Sequence, residues 1–115
     1  MFPFGGQRTH GIHLNSRWGS SQTDATVEQM RKALAELDVE DDEHPDVSLT
    51  HESEWSLSAF GGGLLIWENL EEGDPRHLKD VSRATVLELW LALSRGEIAT
   101  VEGQPWQPGY GRAEQ

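Results

Sequence analysis

No cysteine occurs among the 115 residues, so a disulfide framework and thiolate metal sites are excluded. Long apolar runs are also missing. The longest, Leu64-Leu65-Ile66-Trp67, is far short of the roughly 20 residues that a membrane-spanning helix needs. The opening Met1-Phe2-Pro3-Phe4-Gly5-Gly6-Gln7-Arg8 lacks the apolar core of a signal peptide. These absences lead us to expect one soluble, cytoplasmic domain over residues 1–115, with weak order over 1–20 and an irregular tail over 104–115.

The most informative absence is of positive charge. Between Ala33 and Pro75 there are thirteen acidic residues, from Glu36 to Asp74, and no Lys or Arg. All nine basic residues lie outside that window, and the formal net charge is −11. Such a chain repels nucleic acid and attracts cationic surfaces. Most of the strand-like runs fall inside the acidic window, so the charge belongs to the folded body.

What is present can be ordered along the chain. Gly11-Ile12-His13-Leu14-Asn15 reads as a short extended stretch within a Gly- and Ser-rich beginning. Thr26 and Gln29 form a capping box for a first helix, with Val27, Met30, Leu34 and Leu37 on its buried face. A charged loop from Asp38 ends in Glu43-His44-Pro45. Three strands follow: Val47–His51, Trp55–Phe60 and Leu64–Glu68, separated by Glu52-Ser53-Glu54 and by Gly61-Gly62-Gly63. The third is apolar on both faces and should lie inside the sheet. Glu71–Pro75 reads as a turn. A second helix runs from about Ser82 to Arg95, with Val86, Leu89, Trp90 and Leu93 buried and Gly96 as a left-handed cap. The expected architecture is α+β: a three- to four-stranded antiparallel meander with an N-terminal and a C-terminal helix packed on it. Most of the five tryptophans should lie in the core.

In this order of elements the chain resembles the small family of bacterial polymorphic-toxin immunity proteins that neutralise deaminase-type and related toxin domains. The resemblance is carried by the helix around Glu28-Gln29-Met30, by Val47–Ser53, by Leu64–Glu68 and by the helix and tail from Val81 to Trp106. It spans about 80 residues by arrangement. The family's long polar loop between last strand and last helix is missing here, and the N-terminal segment has no counterpart in it. The resemblance implies a stoichiometric inhibitor that blocks a toxin's active site.

Charge supports the same partner, a cognate toxin with a basic cleft, met by a monomer or weak homodimer without cofactor, nucleic acid or membrane. Steering would fall to Asp41, Asp42, Glu52, Glu54, Glu71 and Glu72, and affinity to buried anchors, for which Trp55 and Trp106 are the candidates.

Chemistry is less well marked. His44, Asp46, His51 and Glu52 could ligate zinc or a harder cation, which makes a small metal- or carboxylate-dependent enzyme centred on His44, His51 and Glu52 the alternative. Yet there is no His-Glu-x-x-His helix, calcium loop or Gly-x-Ser-x-Gly elbow, and Gly61-Gly62-Gly63 precedes a strand without the Lys of a phosphate loop. Metal sites and catalytic residues are therefore not expected. A third reading is an adaptor that oligomerises through exposed aromatics.

Overall fold

The computed structural model describes residues 11–16, 21–39 and 46–111. Its elements are β1 (Ile12–Asn15), β2 (Ser21–Thr23), α1 (Val27–Ala35), a 3-10 turn (Glu36–Asp38), β3 (Asp46–His51), β4 (Trp55–Phe60), β5 (Leu65–Asn69), β6 (Gly73–Leu78), α2 (Arg83–Ser94), α3 (Ile98–Glu102) and β7 (Gln107–Pro108). The strands form one antiparallel sheet in the order β2-β1-β3-β4-β5-β6-β7. The protein is α+β, with a larger sheet than the sequence suggests.

Strand alternation decides which face carries the core. One cross-strand row runs Leu14, Leu49, Leu57, Trp67 and Arg76, and a second runs Val47, Ala59, Leu65 and Leu78. Their apolar members join Met30, Ala33 and Leu34 of α1 and Val86, Leu89, Trp90 and Leu93 of α2 in a single core. A hydrogen bond from the Trp90 indole N–H to the Leu57 carbonyl, 3.0 Å long and buried, fixes α2 on the sheet. The opposite face carries small polar side chains, including Ser48, Thr50, Ser56 and Ser58, and Thr50 Oγ1 lies 3.0 Å from Ser56 Oγ. It also carries Ile66, in register with Ser58, which is buried all the same.

Helix ends follow local rules. Thr26 caps α1 and shares a full capping box with Gln29. At the far end of α2, Gly96 takes φ +76°. Its N–H donates to the Leu93 carbonyl and that of Glu97 to Ala92, a complete Schellman motif. Arg83 opens α2 and donates to the Leu34 carbonyl at the end of α1, which ties the two helices together at that point.

Four features depart from the expectation. Among the described residues the sheet has seven strands rather than three or four, because β1, β2, β6 and β7 extend the central meander on both sides. Glu71–Pro75 reads as a turn, yet β6 begins at Gly73 and runs through Pro75. The ladder is irregular opposite this point, between Trp67 and Asn69, so the missing proline N–H interrupts no regular pair. The tail is not wholly irregular, since Gly109 N–H donates to the Pro75 carbonyl and ties β7 to β6, and α3 precedes it. Val27 is 38% exposed, outside the core that Met30, Leu34 and Leu37 reach.

Candidate functional site

Two hairpin turns lie at the same end of the sheet: residues 51–54 between β3 and β4, and 70–73 between β5 and β6. They are joined directly. The Leu70 N–H donates to the Glu54 carbonyl at 2.9 Å. Asn69, buried at the end of β5, links them again. Its Nδ2 donates to the Ser53 carbonyl at 3.4 Å, while its Oδ1 accepts from the N–H groups of Glu71 and Glu72. One amide side chain thus holds both turns, in the manner of an Asx turn extended to a neighbour.

These turns present Glu52, Glu54, Glu71 and Glu72 together, with Asp74 at the start of β6. No Lys or Arg among the described residues forms an ion pair with any of the five. Leu70 stands in their midst, 55% exposed. Gly11 lies beside Glu52 because the space is taken: a Cβ there would sit 2.7 Å from Glu52 Oε1, and its φ of +94° disfavours other residues. Asp24, whose N–H donates to the Ile12 carbonyl, adds a further acid near this end.

Beneath the turns lies a stack of tryptophans. Trp67, fully buried, stacks on Trp55 at 4.5 Å and on Trp106 at 6.1 Å between ring centroids. Trp55 and Trp106 are half-buried, and Trp106 donates its indole N–H to the Val101 carbonyl at 2.7 Å. The Arg76 guanidinium lies 5.9 Å from the Trp55 ring centroid and pairs through two nitrogens with both oxygens of Glu102, at 2.9 and 3.0 Å. That bond holds the Glu102 carboxyl below its ordinary pKa, although partial burial opposes the shift. The Trp67 indole N–H makes no hydrogen bond of good geometry, yet lies close enough to Glu102 to favour the charged form further. On the other face, Tyr110 donates its hydroxyl to Glu68 at 3.0 Å, which raises the Tyr110 pKa.

A groove of 620 Å³ opens beside this stack, walled by Trp55, Asn69, Pro75, Arg76 and Pro108, with Glu72 and Asp74 in its lining.

Of the residues singled out from sequence, Glu52, Glu54, Glu71, Glu72 and Trp55 come together here. Trp106 sits behind them in the stack. Asp41, Asp42, His44 and Trp18 lie outside the described residues. His51 Nδ1 is engaged by Ser53, 2.8 Å from its hydroxyl and 3.1 Å from its N–H donor. Among the described residues no group of three or more His, Asp or Glu is arranged to hold a metal ion, and no helix is long and apolar enough to cross a membrane. Sequence reasoning missed Asn69, Arg76 and Pro108. For Asn69 a signal existed, an Asn closing a strand just before Glu-Glu-Gly. Arg76 and Glu102 stand too far apart in the chain for any local pattern to pair them.

Comparison with known proteins gave no matching family, no matching curated protein and no matching solved structure.

Proposed function

We propose that this protein is an immunity-type inhibitor: it binds a cognate bacterial toxin domain through the acidic end of its sheet and covers a cationic active site. The observation that carries the reading is the pair of hydrogen-bonded turns that hold Glu52, Glu54, Glu71 and Glu72 together without a cation partner among the described residues. Carboxylates that have no ion-pair partner among the described residues leave their charge facing solvent, unneutralised by the protein. The field of that charge steers a cationic partner and raises its rate of association, while apolar contact supplies residence time. Leu70 and the accessible part of Trp55 provide that contact. Toxin domains that act on nucleic acids or nucleotides need basic clefts to hold phosphate, which makes them fitting partners. In this reading the inhibitor works in the cytoplasm, one to one, without a cofactor.

The test is co-expression of the tagged protein with the product of the adjacent open reading frame. Restored growth together with an equimolar complex is the expected result. Absence of both protection and complex overturns the proposal.

A further inference from the structure

The groove beside the tryptophan stack has its own recognition chemistry. Its uncharged lining is mainly apolar: Trp55, Pro75, Pro108, Gly73 and Gly109, with Asn69. Its charged lining consists of Glu72, Asp74 and Arg76. Arg76 is not free to receive an anion, because Glu102 holds it through two nitrogens. An anion entering here would meet the fields of Glu72, Asp74 and Glu102 with the one cation already neutralised. A cation meets the reverse: two carboxylates without ion-pair partners among the described residues. The volume of 620 Å³ exceeds the needs of one side chain and leaves room for the peptide that carries it.

We infer that this groove receives a basic side chain, arginine above all, from the protein partner. The inference rests on the inhibitor reading for the partner's identity. The aliphatic stem packs along Trp55, Pro75 and Pro108, while the head reaches Glu72 and Asp74. Asn69 is the positioning residue, since its Oδ1 accepts the Glu72 N–H and fixes that side of the groove. Arginine suits the site because its planar, weakly hydrated head can share two carboxylates.

The test needs no toxin. The full chain is titrated with acetyl-Gly-Arg-Gly-amide, and amide and indole N–H shifts are followed by NMR. The expected result is saturable shifts at Trp55, Gly73 and Gly109. The citrulline peptide, equal in shape but uncharged, should give none. The E72Q/D74N variant should weaken arginine binding about tenfold, the scale expected when a close charge pair is lost, while E88Q, on the exposed side of α2, leaves it unchanged. Both exposed substitutions are mild, and Asn suits the φ of +56° at position 74. Shifts that are absent, that occur elsewhere, or that are equal for citrulline overturn the inference. Capture of a cognate toxin separates the two proposals. If E72Q/D74N binds it as tightly as the wild type, the groove is dismissed and the inhibitor reading stands. If the peptide binds but no toxin does, the inhibitor reading falls alone.

Discussion

The two ends of the sheet use charge in opposite ways. At one end the β4–β5 turn at Gly61-Gly62-Gly63 is locked to the chain leading into α2, where the Val81 N–H donates to the Gly63 carbonyl. Nearby, Arg83 bonds both the Leu34 carbonyl and the Asp38 carboxylate, at 2.8 and 3.0 Å. Positive charge there is used for internal assembly. At the other end the turns are held by neutral groups, chiefly Asn69 and main-chain hydrogen bonds, and five carboxylates stay without ion-pair partners among the described residues. Arg76, which lines the groove with Glu72 and Asp74, is spent on Glu102. Charge that is not needed to hold a turn in place remains available to a partner, and that is what separates a structural end from a recognition end.

Substitutions can break or sharpen this contrast. The largest effect is expected for Trp67→Ala, which empties the centre of the stack beneath the acidic turns. Truncating a buried aromatic of this kind costs about 3–5 kcal/mol, measurable by chemical denaturation. Asn69→Ala should follow, at about 1–3 kcal/mol, because it orphans two turn N–H groups and a carbonyl. Hydrogen exchange should accelerate at Leu70–Gly73 and remain slow at Gly63 and Val81; uniform acceleration would refute a local role.

Glu102→Gln should cost about 1 kcal/mol near neutrality, a modest figure for a pair that is part exposed. It also carries a pH signature. The folded pKa of Glu102 lies below the ordinary carboxylate range because Arg76 stabilises its charged form, so the pair contributes stability at pH above the unfolded-state pKa. The contribution is lost as pH falls through the depressed folded value. Acid unfolding of the variant should lack this component, and identical acid profiles would contradict the assigned partner.

Asp38→Asn at the opposite end should cost roughly 0.5 kcal/mol or less, as its side chain is largely exposed. It should leave association with a cationic partner unaltered. The smallest stability change is expected for reversing the charge at Glu52 and Glu54, whose carboxylates have no ion-pair partner to lose among the described residues. Yet association should slow several-fold at low salt, and the difference should shrink at high salt. Equal rates at low salt would argue against steering from this end.

Local patterns were read correctly where neighbouring residues decide the outcome. The capping box at Thr26 and Gln29, the Gly96 cap, the buried stripe of α2 and the strands read at 47–51 (observed from Asp46) and 55–60 all depend on near neighbours in the chain. Reading failed where partners are distant. Ser21–Thr23 has no apolar alternation and is a strand because β1 lies beside it. Glu71–Pro75 reads as a turn, but from Gly73 onward the chain is a strand, Gly73–Leu78, between β5 and β7. Val27 shares the spacing of Met30 and Leu34, yet lies in the first turn of α1 and remains partly exposed. For the candidate site, the acids of the two turns were visible as charge, while the side chains that organise them were not.

Composition and short-range pattern therefore determined an acidic α+β chain, its two longer helices, its central hairpins and the gap in positive charge from Ala33 to Pro75. Tertiary structure alone decided that the turns at 51–54 and 70–73 share one end, that Trp67 joins Trp55 to Trp106, and that Glu102 neutralises Arg76. The physical reason is one of range. Caps and amphipathic stripes are settled by the chain's own neighbours, whereas a charge becomes paired or free only when folding chooses what stands beside it.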